Sequence, residues 1–455
     1  MAERKAITRR VPKKIVLLDY YSEKNRGDAA IQVGLIRLVR KRFPEAEISV
    51  VAAIGANQAR DIPEHFPHTL REGVEVMGGV CPTIVAAREP HFLLRMKLAR
   101  VAFVAFSITV CVLLLAMLAL RLPPSFVALF LPRTFREALQ DLAAADLILW
   151  RGTNFRMGKR VLREAYSTFM WCYQPLVCML LGRPVACVGV SLWSPKTVFS
   201  RSILCFVFRR CVFLAAREEE SVGRVRELLG EKGPGVTLLP DLSFVLLQSD
   251  ARSIQRAPST NTIGVTLVGR NKEDAEGVAR YVRLMRSFVD TILSDSRRSI
   301  VVIPQATTRS EDASSIVDDI VSGIAADKRE RIRIRTEELS IEELLKTYAG
   351  LDALVATRLH SSIFALAVGT PVFVLQYDEG PQWNILSMLG VKDFVMEYRK
   401  LDERGILECF GRFMERTEYP MSDVQKNFER YYQEIKTVFA GVPYAYDQWV
   451  QSRKK

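Results

Sequence analysis

Histidine is scarce in this chain, four in 455 residues, and the eight cysteines never occur as Cys-x-x-Cys. With Asp and Glu scattered as well, no metal-ligand constellation is visible, and neither a structural zinc site nor a thiol redox motif is expected. No repeat with a period of about 20–50 residues is present, and glycine (25) and proline (20) are ordinary in amount, which excludes solenoid, collagen-like and linker-array architectures. The basic residues come without the aromatic-rich motif of a nucleic-acid module, so nucleic acid is not an expected partner. The N-terminal MAERKAITRRVPKK lacks a signal-peptide core and a small-residue cleavage site, which points to a cytoplasmic protein.

What is present is a globular composition. Hydrophobic residues make up 49% and charged residues 25%, enough for two or three cores at roughly 100–200 residues per domain. Lys and Arg outnumber Asp and Glu by 64 to 51, a formal +13, which favours anionic partners such as phosphorylated metabolites or an acidic membrane face. The cysteines mostly sit in apolar runs and read as buried thiols in a reducing compartment.

Val101–Leu120 carries no charge over 20 positions, which as a helix is about 30 Å, the thickness of a bilayer core. Pro123 and Pro124 follow, then the shorter apolar piece Ser125–Leu131, with Arg95, Lys97 and Arg100 before and Arg133 and Arg136 after. Both flanks are therefore cytoplasmic in character. Lys14–Ala53 and Asp146–Leu192 read as parts of one α/β domain, which a single crossing would divide. The expectation is a membrane-associating helical hairpin, within an insert at 92–132, that turns at Pro123–Pro124 and rests on the inner leaflet. A wholly buried core helix and a true span are the other two readings.

The chain opens as strand Ile15–Asp19, polar loop Tyr20–Asp28 and helix Ala29–Phe43, with Ile31, Leu35, Leu38 and Val39 at helical spacing. Ile48–Ala53, Leu147–Trp150, Val185–Val190, Phe213–Ala216 and Val236–Leu239 are further strand candidates, and their alternation with helical patterns implies a parallel sheet. The polar stretch 248–262 breaks the pattern and reads as a linker between an N-terminal domain (1–247) and a C-terminal one (263–422). In the second series the strands are Ile263–Leu267, Ile300–Ile303, Ile332–Ile334, Ala353–Ala356 and Val372–Gln376, with helices over Ala275–Leu293 and Ile341–Ala349. The remainder, 423–455, reads as a helix returning to the domain junction. The fold class expected is α/β, two Rossmann-like domains facing across a cleft. Ligands in such sheets bind beyond the carboxyl ends of strands, which selects Asn25–Asp28, Arg151–Asn154, Arg217–Glu220, Asp241, Gln305 and Arg358–Ser362.

Within that set, Arg358 and His360 stand where a strand ends and a helix begins. Backbone N–H groups and the helix dipole favour an anion there, Arg358 can grip a phosphate or carboxylate in bidentate fashion, and His360 can exchange a proton near neutral pH. A capping or core histidine fits the same Arg-x-His spacing. Arg217, ahead of Glu218–Glu220, reads in isolation as a surface ion-pair residue. Gly27 lets its loop turn closely, and Asp28 suits a helix N-cap as well as acceptor hydroxyls. Asp241 can be a base or a structural cap. Arg151 can meet a diphosphate or pair with a local acid. The acidic group Glu311, Asp312, Asp318 and Asp319 reads as a solvated loop and helix start, and Phe199–Phe213, flecked with arginine, as a buried helix.

Arg358-Leu-His-Ser, followed by Ala365–Val372 (Ala-Leu-Ala-Val-Gly-Thr-Pro-Val), resembles the C-terminal signature of the polysaccharide pyruvyl transferase family. Asn25–Ile31 (Asn-Arg-Gly-Asp-Ala-Ala-Ile), Ala216–Ser221 (Ala-Arg-Glu-Glu-Glu-Ser) and Leu239–Asp241 (Leu-Pro-Asp) occur in that family's order too, so the resemblance runs roughly from Ile15 to Val395 outside the hydrophobic insert. It departs at Trp150–Asn154, where many members carry a run of glycines. The resemblance implies a GT-B-like fold and an enzyme that attaches pyruvate as a ketal to a sugar, with phosphoenolpyruvate as co-substrate and no cofactor. It also implies that Arg217 and Arg358 bind the donor's carboxylate and phosphate, with Ser361 beside them and His360 in catalysis. Asn25, Gly27, Asp28, Arg151 and Asp241 fall to the acceptor. The insert at 101–131 further suggests a lipid-linked acceptor in surface-polysaccharide assembly, handled by a cytoplasmic protein held at the membrane face. A nucleotide-sugar glycosyltransferase on the same plan and a non-catalytic membrane-associated scaffold are the competing readings, and the sequence does not specify an oligomeric state.

Overall fold

Short apolar runs bounded by polar turns become the strands of two parallel sheets, each buried on both faces as the near-continuous hydrophobicity of those runs requires. The computed structural model describes residues 10–82, 97–152, 154–155, 161–231, 233–269, 275–306, 313–335, 337–377, 379–416 and 418–453. It divides into two units: unit 1 holds 1–22, 32–242 and 434–455, and unit 2 holds 23–31 and 243–433. This division is not the linear one expected. The loop carrying Asn25, Gly27 and Asp28 counts with unit 2, the break at the first long polar stretch comes at Leu242/Ser243, and the tail is two helices, divided between the units at Gln433/Glu434.

Unit 1 contains β1 (Lys14–Tyr20), β2 (Glu47–Gly55), β3 (Glu75–Gly79), β4 (Leu147–Trp150), β5 (Asn154–Phe155), β6 (Val185–Leu192), β7 (Phe213–Ala216) and β8 (Thr237–Leu238). The order is β3-β2-β1-β4-β6-β7-β8, all parallel, with β5 paired to β6. Its helices include α1 (Arg26–Arg42), whose first turn counts with unit 2, α2 (Lys97–Ala119), α3 (Arg133–Ala144), α4 (Val161–Leu180), α5 (Val198–Phe208) and α6 (Glu219–Leu229). Unit 2 contains β9 (Thr262–Val265), β10 (Ser299–Val302), β11 (Ile332–Ile334), β12 (Ala353–Ala356), β13 (Val372–Gln376) and β14 (Val395–Glu397), in the parallel order β11-β10-β9-β12-β13-β14. Among its helices are α7 (Ser243–Asp250), α8 (Ala275–Leu293), α9 (Ile341–Ala349) and α10 (Leu359–Ala367). In both sheets the strand order reverses beside the first strand, at β1/β4 in unit 1 and at β9/β12 in unit 2. Such a reversal opens a crevice beyond the carboxyl ends.

The uncharged stretch 101–120 lies in α2, and Pro124 starts a short helix, Pro124–Leu129, after a break. Ser107, Cys111, Leu114 and Leu118, spaced four, three and four apart, form a buried stripe, and the last three belong to the unit 1 core. Val101, Phe106, Val112, Leu113 and Leu120 are exposed. The wholly buried core-helix reading therefore fails, since only 22% of the apolar window is buried. Helix α5 is likewise one-sided: Ser200, Leu204, Val207 and Phe208 are buried, whereas Val198, Phe199 and Phe206 are exposed. Arg95, Glu311 and Asp312 lie outside the described residues.

The two faces of α2 predict opposite sensitivities. Leu114→Ala should cost about 2–5 kcal/mol of unfolding free energy through lost burial and a residual cavity, and Leu113→Ala, one position on, should stay within about 0.5 kcal/mol. Urea unfolding of the two variants checks this, and equal losses would contradict the one-sided packing.

Candidate active site

Unit 2 gathers most of the expected residues. At the end of β12, Thr357 Oγ1 donates to the Thr266 carbonyl (2.7 Å), which locks the strand exit against the chain leaving β9. Arg358 follows in extended conformation as the N-terminal flanking residue of α10, its Nε donating to the Leu267 carbonyl (2.9 Å). Ser361 is buried, with its hydroxyl donating to the Arg358 carbonyl (2.7 Å) and lying 3.0 Å from Thr266 Oγ1. It thus holds the turn that presents Arg358. His360, half-buried in the first turn of α10, sits among backbone N–H groups that have no intrahelical acceptor.

The loop before α1 packs on this turn. Asn25 forms an isolated antiparallel bridge with Ala306, and Arg26 N–H donates to the Gln305 carbonyl (3.2 Å). Asn25 Oδ1 accepts from Gly27 N–H (3.1 Å), so Asn25 caps the helix and Asp28 lies within its first turn. Gly27 has a different reason from the turn expected for it. It is not among the glycines with positive φ, but a Cβ built there would stand 2.3 Å from His360 Nδ1 and 2.4 Å from its Cγ. Only hydrogen fits in that gap. Asn25, Gly27, Arg358, His360 and Ser361 are therefore brought together beyond the β9/β12 reversal of unit 2.

Unit 1 brings Arg217 and Asp241 together. Arg217, after β7, is buried and not on the surface as the run of following glutamates suggests. Its Nη1 donates to Asp241 Oδ2 (3.1 Å), its Nε to Ser191 Oγ (2.5 Å), and Glu218 Oε2 lies 3.6 Å away. Ser191 Oγ also donates to Glu218 Oε2 (2.9 Å). Burial raises the Glu218 carboxyl above its ordinary range, with Arg217, Ser221 and Ser191 opposing the shift. Arg151 is also buried, 4.8 Å above the Tyr21 ring, with Nη1 donating to Gln32 Oε1 (3.3 Å). A neutral amide and an aromatic face are thus among its neighbours. Among the described residues, no group of three or more His, Cys, Asp and Glu side chains is arranged to hold a metal ion.

One residue here escaped the sequence reading. Asp19, near the end of β1, has φ +61°, rare for a residue with a side chain, at a register shift between Leu18 and Tyr20. Only 4% exposed, it receives a hydrogen bond from Gln174 Nε2. Burial pushes its carboxyl up to about 7, against the lowering effects of hydrogen bonding from Gln174 and the Trp150 indole and of the charge of Arg151. The signal was available: an acid closes an otherwise apolar strand, Ile15-Val-Leu-Leu-Asp19.

The raised value has a signed consequence. Below about pH 4, Asp19 is protonated in both folded and unfolded chains; as pH rises toward 7 only the unfolded chain ionises, so stability is lost, and above 7 the loss is complete. At about 1.4 kcal/mol per unit the loss is on the order of 4 kcal/mol. Asp19→Asn, which tolerates the same backbone conformation, should therefore be more stable than the parent at pH 8 and nearly equal to it at pH 4. Denaturant melts across that range test this, and parallel pH profiles would contradict it.

With the geometry described, the chain can be placed among known proteins. It is 20% identical over 411 residues to the amylovoran biosynthesis protein AmsJ of Erwinia amylovora, covering 87% of this chain and 90% of that one. Its fold is similar to that of UDP-GlcNAc 2-epimerase from Neisseria meningitidis bound to UDP-GlcNAc, with TM-score 0.51, 13% identity and coverage of 96% of this chain and 99% of that one. It is similar also to α,α-trehalose 6-phosphate synthase from Burkholderia multivorans, with TM-score 0.51, 11% identity and coverage of 98% and 100%. At these identities the likeness is one of fold, which is GT-B-like. The polysaccharide pyruvyl transferase model matches residues 25–379, from the capping Asn25 through the Arg358–His360 turn and beyond, and the chain belongs to that family.

Proposed function

We propose that the protein transfers the enolpyruvyl group of phosphoenolpyruvate to two hydroxyls of one sugar, forming a pyruvate ketal and releasing phosphate. The observation that carries this reading is the unit 2 turn, where Arg358 and the N-terminus of α10 offer positive charge to an anion and His360 stands in the same turn. In the reaction one hydroxyl oxygen bonds to C2 while its proton is balanced by protonation of C3. The second hydroxyl oxygen then bonds to C2 as the C2–O bond to phosphate breaks, and phosphate leaves with the electron pair and the remaining proton. His360 serves to move one of those protons, and Arg358 holds the charge that develops on the leaving phosphate. Arg217 is the other cation the family resemblance assigns to the donor, and its bonds to Asp241 and Ser191 fix its guanidinium in place.

A phosphoenolpyruvate titration followed by thermal unfolding tests the donor. Binding to the folded state adds about 2.7 kcal/mol at a hundredfold excess over Kd, so the melting temperature should rise, and Arg358→Ala should abolish the rise. Stabilisation by a sugar nucleotide alone would overturn the proposal in favour of a glycosyltransferase, and none from either ligand would favour a scaffold. Gly27→Ala should drive the His360 ring from its position, lowering turnover about a hundredfold and, through the overpacked gap, the melting temperature as well.

We further infer that the acceptor is a lipid-linked glycan met at the cytoplasmic membrane face. What supports this is the exposed apolar side of α2, together with exposed Leu129 and Phe130, an arrangement suited to an interfacial helix. Replacing Phe106, Val112, Leu113 and Leu120 by serine keeps the buried stripe intact. It should reduce sedimentation with anionic vesicles and lower activity on a lipid-linked acceptor more than on a water-soluble mimic. Equal activity on both would remove the inference.

A further inference from the structure

A cavity of about 250 Å³ opens in unit 1 beside Asp19, with Tyr21, Tyr166, Trp171, Tyr173 and Gln174 among its walls. We propose that this cavity binds a single pyranose ring of the acceptor, with Asp19 accepting a hydrogen bond from one of its hydroxyls. The proposal rests on the reading of the protein as a sugar-modifying transferase and adds to it a site distinct from the Arg358 turn.

Position is the first argument. Asp19 is the penultimate residue of β1, where the strand order of unit 1 reverses toward β4, and open α/β sheets receive ligands at such reversals. Backbone geometry is the second. The positive φ and the register shift coincide at Asp19, and a bulge of that kind re-aims a side chain beside a site. Hydrogen-bonding capacity is the third. Asp19 is one of the cavity's walls, and its Oδ1, which accepts from Gln174, keeps a second lone pair that a hydroxyl of a polyol can use and a hydrocarbon chain cannot.

Size and lining then narrow the class. Sites for drug-sized ligands occupy about 300–1,000 Å³, so this cavity suits one ring and not a whole nucleotide. Aromatic faces with a carboxylate and an amide match the two surfaces of a sugar, C–H on one side and hydroxyl on the other. The far wall is held by α2, where Ser107 Oγ donates to the Pro82 carbonyl (2.8 Å) and Cys111 Sγ lies 2.8 Å from Cys81 Sγ. Phe103 of the same helix reaches the cavity, so the apolar helix and the sugar site share one wall.

Saturation-transfer NMR with the methyl pyranosides of glucose, galactose, mannose and N-acetylglucosamine tests the site on the full chain. At least one should receive saturation from the parent protein and from Arg358→Ala. The signal should fall at least tenfold in Asp19→Asn and in Ser167→Phe, which fills the cavity from α4. No transfer from any of the four, or transfer undiminished in Asp19→Asn, would overturn the proposal. So would a lower melting temperature of Asp19→Asn at pH 8, the result expected if Asp19 only accepts the Trp150 indole N–H. The phosphoenolpyruvate response of the same variants separates the two readings. If it persists while pyranosides fail to bind, the sugar site alone is wrong; if it is absent while they bind, donor assignment alone is wrong.

Discussion

Both sites proposed for this chain depend on a reversal of strand order, made once in each sheet. A strand laid down first and flanked on both sides by later ones sends its connections in opposite directions, and the loops leaving the two central strands cannot cover the gap between them. Backbone bonds still join the central strands at their exits, Arg151 N–H to the Leu18 carbonyl and Thr266 N–H to the Val355 carbonyl, and beyond them side chains close the crevice. In unit 2, Thr357 and Ser361 do so by bonding Thr266 across the gap, which frees the next residue, Arg358, to be held by the Leu267 carbonyl. In unit 1, the equivalent place is filled by Asp19, Gln174 and Trp150, a buried acid whose nearest polar neighbours are neutral and which feels the charge of Arg151.

The two reversals thus carry opposite chemistry on the same scaffold. A helix N-terminus and a guanidinium suit the proposed unit 2 site to anions, because the charge is fixed and the donors are already oriented. In unit 1, the carboxyl near 7 stands on the verge of losing its proton at neutral pH. It can accept a hydrogen bond from a hydroxyl or give one to it, which suits an uncharged polyol and not a phosphate. Holding Asp19 there costs stability twice, through burial and through its backbone conformation. Sites that cost stability are the ones expected to have a use.

Much of this was legible in the sequence because parallel strands buried on both faces announce themselves as uninterrupted apolar runs. Leu147–Trp150, Phe213–Ala216, Ile332–Ile334, Ala353–Ala356 and Val372–Gln376 match the observed strands residue for residue. Glu75–Gly79 did not stand out, since two glycines and a charge dilute its pattern, and Asn154–Phe155 is too short to have one. Arg358 and His360 were visible because helix starts are written locally. Asp19 was not, because its burial depends on Gln174, 155 positions away, and on a register shift that no local pattern encodes. The proximity of Gly27 to His360 was hidden for the same reason: a glycine in a loop suggests a turn, and only tertiary packing shows that its missing Cβ makes room for an imidazole.

The apolar helix α2 joins these themes. A segment built only to cross a membrane needs hydrophobicity all round, and one built only for a core would be covered all round. This helix has a polar or small residue at two of the four positions of its buried stripe, Ser107 and Cys111, and both are engaged with the loop after β3 that borders the cavity. Val101, Phe106, Val112, Leu113 and Leu120 point the other way, uncovered. In the reading proposed here those two faces serve different neighbours, one a sugar-sized cavity within unit 1 and the other an apolar phase. A molecule that is itself a sugar attached to a lipid would meet both along the length of one helix, which is why the acceptor inferred here is amphiphilic and not a free saccharide.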